Sequence, residues 1–171
     1  MDALKAIMTR RSVRKFDVKK PISKDVVEKI LHAGMSAPSA VNQQPWHFLV
    51  IDERALLDKL ATVHPHAAMC LQASLAIILC VDESMGPYRP FWVEDMSAAT
   101  QNVLLAVRAC ELGAVWVGVY PNCERVHGLQ KLFDLPKSVV PFSLIPIGYT
   151  DVAQHEVLER IKKERVHHNK W

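Results

Sequence analysis

A short basic segment near the amino terminus, Arg10-Arg11-Ser12-Val13-Arg14, carries the residues with the plainest chemical use. Guanidinium groups present forked N–H donors and a serine hydroxyl adds another, so the segment could hold a phosphate or a similar anion. If the segment is extended, side chains two residues apart point to the same side, which places Arg14 beside Ser12. Arginine clusters also occur as ordinary solvated surface charge, and the segment alone leaves both interpretations open.

The usual backbone devices for holding phosphate are missing from the sequence. Its six glycines, at positions 34, 86, 113, 118, 128 and 148, form neither a G-x-G-x-x-G fingerprint nor a G-x-x-x-x-G-K phosphate loop. Any bound phosphate must therefore be held by side chains.

Charge is distributed unevenly along the chain, although the net charge is only +3. Residues 1–24 and 160–171 hold 13 of the 21 Lys and Arg but 3 of the 18 Asp and Glu. Two basic ends suggest an anion bound between them, and the alternative is solvated charge on terminal segments. Nucleic acid is not an expected partner, because the basic residues lack interleaved aromatics and the rest of the chain is acidic.

Other chemistries find little support. The four cysteines, at positions 70, 80, 110 and 123, form no C-x-x-C pair, and no histidine pair has a further ligand at metal-binding spacing. We therefore expect reduced, mostly buried thiols and no metal. The apolar runs are far shorter than the roughly 20 residues that span a bilayer. No secretory signal is recognisable at the start, so we expect no membrane association and a cytoplasmic location.

Apolar residues at helical spacing predict four helices. The first covers residues 2–9, the second follows a cap at Ser23, the third covers about 53–63, and the fourth runs from about Trp92 to Leu112. Gly113 is expected to end the fourth helix in the left-handed C′ position.

Runs of β-branched and aromatic residues predict strands at 46–51, 74–81, 114–119 and 142–149. The second run is apolar throughout, which is typical of a central strand buried on both faces. Pro146 interrupts the last run and suggests an edge strand or a bend, because proline cannot donate to a ladder. These elements indicate the α+β or α/β class, with one sheet covered by helices, in a single domain 1–171 whose residues 151–171 form an arm.

Two segments carry a family resemblance. Residues 10–16, RRSVRKF, and 38–46, PSAVNQQPW, closely resemble the two N-terminal motifs of the nitroreductase family. The resemblance continues through residues 94–102 and through shorter matches at 112–113, 116–118, 147–148 and 165–171. It covers nearly the whole chain, which is similar to the short form of the family.

The resemblance implies a three-layer α-β-α fold of the α+β class, with a mostly antiparallel central sheet covered by helices. It also implies a homodimer with tightly bound FMN at its interface. The C-terminal arm of each subunit, residues 151–171, would embrace the other subunit. NADH or NADPH is the expected transient reductant.

At the phosphate end of the implied site, Arg10 and Ser12 match the positions that hold the FMN phosphate, with Arg11 alongside. Lys163 and Arg165 resemble the C-terminal basic pair that completes this end, which would account for both basic termini. Within the arm, Arg160 or Lys162 could take the place of Lys163.

At the ring end, Arg14 matches the basic residue near flavin N1 and O2, and Gly118 and Val119 match the backbone beneath the reactive edge. The remaining matches belong to a loop that reaches FMN from the other subunit or to polar positions that support it, and they are Pro38, Ser39, Ala40, Asn42 and Gln44.

Several of these residues also have plain structural interpretations. Asn42 could cap the turn before Pro45, and Gly118 could be only a β-bulge. Trp46 and Trp116 are better explained as core or interface aromatics than as stacking partners.

The expected reaction passes hydride from NADH or NADPH through the flavin to a nitroaromatic, a quinone or a similar small acceptor. No catalytic side chain is required, and Arg14 would polarise the ring. Residues 64–69 offer little polar contact to flavin, and residues 85–91 replace the substrate lid of larger members, so acceptor specificity stays open. The alternatives with the same fold and FMN are reductive dehalogenation, breakdown of flavin, and a non-catalytic flavin carrier or sensor.

Overall fold

The computed structural model describes residues 1–17, 20–84, 89–152 and 159–171. A five-stranded sheet lies at its centre, in the order β1-β2-β5-β3, with β4 pairing β5 beside β3. All four strand pairings are antiparallel. The strands are β1 (Trp46–Ile51), β2 (Leu75–Asp82), β3 (Gly113–Ala114), β4 (Val117–Gly118) and β5 (Val139–Gly148).

Helices cover both faces of this sheet, which gives the predicted three-layer α-β-α arrangement of the α+β class. One hydrophobic cluster joins α2 and α4 to one face, and a second joins α3 and α5 to the other face. The helices are α1 (Ala3–Thr9), α2 (Lys24–Met35), α3 (Arg54–Val63), α4 (Trp92–Ala109) and α5 (Cys123–Leu132).

The central strand β2 is buried on both faces, as its apolar sequence predicts. Every residue of β2 except Asp82 is buried. Ile77 and Leu79 belong to the cluster with α2 and α4, whereas Ala76 and Ile78 belong to the cluster with α3 and α5. The alternation of a strand therefore divides its side chains between two cores.

Pro146 does not mark an edge strand, so the first of the two predicted alternatives, an edge or a bend, is wrong. β5 lies between β2 and the pair β3 and β4, in the interior of the sheet. The outer pairing breaks between Ala114 and Val117, opposite Pro146 and its neighbour Ile145. A proline is tolerated here because the outer ladder is interrupted beside it.

The end of α4 also differs from the prediction. The helix stops at Ala109, and Glu111, with φ 60°, takes the left-handed conformation that was expected at Gly113. Gly113 instead begins β3, where a Cβ atom would lie 2.8 Å from Val13 Cγ1. This glycine is required by close packing and not by helix termination.

Two parts of the chain present apolar side chains outward. On α1, Leu4, Ile7 and Met8 are exposed, while Ala6 and Thr9 on the opposite side are buried. In the arm, every described residue from 159 to 171 is exposed, and residues 153–158 lie outside the described part. In the described ranges, none of the helices has the length and hydropathy needed to cross a membrane.

Candidate functional site

The basic segment leaves α1 and joins the outer edge of the sheet. The backbone N–H of Val13 donates to the carbonyl of Ala114 at 2.9 Å, and Ser12 forms a parallel bridge with the same residue. Val13 is buried, whereas Ser12 and Arg14 are exposed. The predicted alternation is confirmed, because Ser12 and Arg14 lie on either side of a buried residue and face solvent.

Arg10 and Arg11 lie at the end of α1. The Arg11 Nη1 group donates to the carbonyls of Met8 and Arg10, both at 2.9 Å, which secures the last turn of the helix. Arg10 is half-buried. Burial first, and then the charges of Arg11 and Arg160, lower the pKa of the Arg10 guanidinium. Cations held together in this way are stabilised by a bound anion.

The arm brings further positive charge to this end of the molecule. Lys163 and Arg165 lie in one exposed 3-10 turn, Lys163–Arg165. Arg160, earlier in the arm, is near enough to Arg10 to affect its pKa. Within the described chain, Lys163 and Arg165 form no hydrogen bond through their side chains. Within one chain, Arg160, which the sequence offered as an alternative to Lys163, is the arm residue that affects the pKa of Arg10.

The loop that follows α2 has a strained backbone. Val41, Asn42 and Gln44 have φ of 47°, 55° and 52°, a left-handed conformation that is unfavourable for a β-branched residue such as Val41. Val41 is also 66% exposed. Strain of this kind persists only where the surrounding structure imposes it, and it is concentrated at functional sites.

Hydrogen bonds impose that loop conformation. The Gln44 N–H donates to Ser39 Oγ at 2.9 Å. The turn before Pro45 is therefore capped by Ser39, and not by Asn42, for which capping was the structural alternative to a flavin contact. The Asn42 side chain is exposed and bonds to no described residue. The Ala40 N–H donates to Asp95 Oδ1 at 2.9 Å. Pro38 is exposed beside them.

Asp95 is a residue that the sequence reasoning missed. It lies in the first turn of α4, is 6% exposed, and fixes the loop across 55 positions of sequence. An acidic residue in a first helical turn is ordinarily explained by the helix dipole. That explanation does not predict the hydrogen bond from the Ala40 N–H to Asp95, which depends on tertiary packing.

The basic segment and the loop lie at opposite ends of α4. Arg108 Nε donates to Thr9 Oγ1 at 3.0 Å, which places the segment near the C-terminal end of the helix. Asp95 holds the loop near the N-terminal end. At 1.5 Å per residue these anchors are about 20 Å apart. One chain therefore does not bring Ser39 and Ala40 to Ser12 and Arg14.

Gly118, in contrast, lies on the same sheet edge as Ser12. It is four residues beyond Ala114, or about 13 Å at 3.3 Å per residue. It is exposed, and nothing lies within 4 Å of the position that a Cβ atom would take. Gly118 pairs regularly with Ser143, and the register shift lies between Leu79 and Cys80 opposite β5, so Gly118 is not a bulge.

The carbonyl of Gly118 accepts hydrogen bonds from two side chains, one buried and one half-buried. His64 Nε2 lies 3.0 Å from the carbonyl oxygen and Arg125 Nη1 lies 2.9 Å from it. His64 is fully buried, and that burial is the main cause that lowers its pKa. Val119, the next residue, is also fully buried. The sequence predicted little polar contact to flavin from residues 64–69 and left the role of this segment open.

Aromatic residues line the sheet beyond Gly118. Trp92 packs edge-on against Tyr120 with ring centroids 4.6 Å apart, and Trp116 packs against Phe142 at 5.8 Å. Trp46 is buried in the core with α2 and α4. Trp46 and Trp116 thus serve as packing aromatics, as expected.

The cysteines behave as buried thiols where the chain is apolar. Burial raises the pKa of Cys70 and of Cys80 to about 12. The four are free cysteines, and Cys123 is exposed. No group of three or more His, Cys, Asp or Glu able to hold a metal occurs among the described residues.

Comparisons with known proteins agree with this architecture. The model of the nitroreductase family matches residues 7–76 and 72–149. A Methanothermobacter thermautotrophicus protein, named as a candidate NADH dehydrogenase/NAD(P)H nitroreductase, is 46% identical over 171 residues, which are 100% of this chain and 88% of that protein.

Solved structures extend the similarity to the fold. A candidate NADH oxidase from Clostridium acetobutylicum has a TM-score of 0.93 at 39% identity, over 97% of this chain and 99% of that chain. A candidate nitroreductase from Desulfovibrio desulfuricans, solved in complex with FMN, has a TM-score of 0.82 at 28% identity, over 100% and 98% of the two chains. With the family model matching most of its length and close relatives matching all of it, this chain belongs to the nitroreductase family.

Proposed function

We propose that the protein is an FMN-dependent oxidoreductase that takes hydride from NADH or NADPH and delivers it to a nitroaromatic, a quinone or a similar small acceptor. The observation that carries this proposal is the outer sheet edge. Along it the exposed donors Ser12 and Arg14 lead to Gly118, whose outer side is open. The FMN complex of the Desulfovibrio relative supports the choice of cofactor.

The residues present fit FMN on two observations of this structure. Arg10 is held near Arg11 and Arg160 and lacks an anionic partner among the described residues. Gly118 leaves free space where a side chain would block a flat ring. The separation of about 13 Å between Ala114 and Gly118 along an extended edge suits a ligand with a phosphate at one end and a ring at the other.

In this arrangement Arg10, Arg11 and Ser12 would hold the phosphate, and Lys163 and Arg165 would add positive charge from an arm. Arg14 is exposed and bonds to no other described residue, so its guanidinium is free to face the ring. Gly118 and Val119 would present backbone to the ring. Bound FMN supplies the two-electron chemistry, which no side chain of this chain provides.

Arg14 has an electrostatic part in this proposal. Reduction adds negative charge to the pyrimidine side of the ring, and a fixed cation there lowers the free energy of the reduced state. The side chain need not exchange a proton, because an arginine stays charged throughout the physiological range.

The separation of the two motifs supports a homodimer. Ser12 and Ser39 are held at opposite ends of α4, so the loop of one subunit would complete the site of the other. Its contributing residues are Pro38, Ser39, Ala40, Asn42 and Gln44. The exposed apolar residues of α1 and of the arm give such a partner a surface to bury.

The test is anaerobic reduction of the FMN-loaded protein. We expect NADH or NADPH to bleach the flavin absorbance and a nitroaromatic or quinone to restore it over repeated cycles. If neither nucleotide reduces the FMN-loaded protein, the proposed enzymatic function is contradicted and a non-catalytic flavin carrier is favoured. Restoration only by halogenated acceptors, or consumption of the flavin itself, would favour dehalogenation or flavin breakdown.

A further inference from the structure

The carbonyl of Gly118 is held by two donors, buried His64 and half-buried Arg125, while the space at the missing Cβ of this glycine stays open. His64 Nε2 and Arg125 Nη1 lie 3.0 Å and 2.9 Å from the oxygen. Gly118 is the exposed residue of a strand of two residues, and it has no side chain to fix its peptide plane. The two donors supply that constraint instead.

The protonation state of His64 follows from its second contact. The backbone N–H of His66 donates to His64 Nδ1 at 3.2 Å, so Nδ1 is an acceptor and the proton lies on Nε2. His64 is therefore a donor to Gly118. The charged or titratable groups that face it are Arg125 from α5 and His66 from the turn after α3, and both disfavour a second positive charge.

The fold brings these donors together through a close approach of α3 and α5. His64 directly follows α3, and its own N–H donates to the carbonyl of Leu60 at 3.1 Å. A Cβ atom on Gly128 of α5 would lie 2.8 Å from Val63 Cγ1. Asn122 caps α5 by accepting from the Arg125 N–H at 3.0 Å. Both donors are thus attached to rigid helix ends.

We infer that His64 is a positioning residue: with Arg125 it turns the Gly118 carbonyl inward and keeps the outer side of the Gly118–Val119 backbone fixed against the flavin ring. The inference rests on the proposed function, and it assigns a role to a segment from which little direct polar contact to flavin is expected. His64 governs the orientation of the ring and its redox behaviour, while the phosphate end of the site governs affinity for FMN.

A purely structural His64 predicts something different. Replacing buried His64 by an apolar residue removes the acceptor of the His66 N–H and one of the two donors to the Gly118 carbonyl. This loss lowers stability whether or not His64 has a positioning role. Only a positioning role also changes the electronic properties of bound FMN in a protein that stays folded.

The experiment compares His64→Leu, His64→Gln and Arg125→Gln with the wild-type protein. Glutamine keeps one donor and one acceptor at position 64. In Arg125→Gln the side chain loses its charge and is two bonds shorter than arginine, which withdraws the donor from the Gly118 carbonyl without opening the core. Matched controls are His127→Gln and Lys131→Gln, which remove an exposed imidazole and an exposed charge from α5. Each variant is loaded with FMN, and its dissociation constant, visible spectrum, midpoint potential and anaerobic reduction rate are measured.

We expect His64→Leu and Arg125→Gln to bind FMN with dissociation constants within about threefold of wild type. Both variants should shift the visible spectrum and midpoint potential of bound FMN. Anaerobic reduction should be about tenfold slower, which corresponds to the loss of one hydrogen bond of about 1.4 kcal/mol. His64→Gln should largely restore both properties. The two controls should match wild type.

Two results would overturn the role. One is that Arg125→Gln and His64→Leu both keep the wild-type spectrum, midpoint potential and reduction rate. If His64→Leu does not fold, the same result in Arg125→Gln alone overturns the role. The other is a wild-type protein that takes up no FMN, which would remove the proposed function as well. The first result leaves the proposed function intact, so the two failures are distinguishable.

Discussion

Arg14 is the residue whose proposed role is most easily separated from binding. Its side chain is exposed at the sheet edge and has no partner among the described residues, so its removal should not disturb the fold. We predict that Arg14→Ala keeps FMN but slows anaerobic reduction about tenfold, equivalent to about 1.4 kcal/mol of lost charge stabilisation. Rapid-mixing absorbance measures this rate.

The neighbouring Lys15 provides the control for Arg14. It is also exposed, and Lys15→Ala removes the same charge from the same segment. An Arg14→Ala protein that is reduced as fast as Lys15→Ala and wild type would contradict a role at the ring.

His64 should make stability depend on pH in a definite direction. Burial lowers its pKa in the folded state, so the unfolded chain, with a histidine pKa of about 6.5, binds the proton more readily. The free energy of unfolding is therefore highest above about pH 6.5 and falls as the pH drops from there towards the folded-state pKa.

Urea unfolding of wild type and His64→Gln from about pH 7.5 to about pH 5 would measure this effect, because the range spans the unfolded-state pKa of about 6.5. The glutamine variant should lose less stability over the range, and His127→Gln should follow wild type. Parallel pH dependences in wild type and His64→Gln would show that another group is responsible.

At the residue scale the sequence predicts contacts that depend on local geometry. Ser12 and Arg14 alternate about buried Val13 because an extended segment dictates it. Asp95 and His64 could not be found in this way. Each acts on a backbone group 54 or 55 positions away, and no local pattern encodes that proximity.

Among the elements, the contact of α5 with α3 offers a direct test of packing. An alanine at position 128 gains about 1 kcal/mol of helix propensity, but overpacking against Val63 costs about 1–3 kcal/mol. We predict that Gly128→Ala lowers the free energy of unfolding by roughly 1 kcal/mol, measured in urea.

Val63→Ala provides the internal check on this prediction. It removes the Cγ1 atom that lies 2.8 Å from the added Cβ position. The double variant should therefore be more stable than the sum of the two single changes predicts. Strict additivity, or a Gly128→Ala protein more stable than wild type, would contradict the close approach.

The sequence predicts the bounds of a helix or strand more closely when the apolar pattern of that element is stronger. β1 and β2 are continuous apolar or aromatic runs, and both were predicted nearly to the residue. α5 was missed because Gly128 interrupts a helix whose only buried residues are Val126 and Leu129. The location of β5 inside the sheet depends on strand order, which Pro146 cannot reveal.

The molecule as a whole exposes an arm that carries large apolar residues. Ile161 is 66% exposed, Val166 is 52% exposed and Trp171 is fully exposed. We predict that the double change Ile161→Asp and Val166→Asp converts a dimer into monomers and weakens FMN binding more than about tenfold, because buried apolar surface is replaced by charge. Light scattering and FMN titration would measure both effects.

Leu71→Asp is the matched control for the arm, since Leu71 is 52% exposed in a turn after α3. It should leave the assembly and FMN affinity unchanged. An arm variant that stays dimeric with wild-type affinity would show that the arm does not embrace a partner.

The assembly of two subunits is the property that the sequence and the structure of one chain predict least directly. The resemblance implies a shared site, and the separation of about 20 Å along α4 agrees with the proposal that two chains complete it. Neither identifies which residues of two subunits finally meet. Arg160, which lies near Arg10 in this chain, was only an alternative to Lys163 in the sequence.

The most direct test of the central claim compares the affinities of the cofactor-free protein for FMN and for riboflavin, which lacks the phosphate. We predict that wild type binds FMN at least about a hundredfold more tightly, corresponding to about 2.7 kcal/mol for charge-assisted bonds to phosphate. Arg10→Gln should lose most of this preference and Lys59→Gln, an exposed change on α3, should keep it. Equal affinity of wild type for FMN and riboflavin, or no binding of either, would contradict the account.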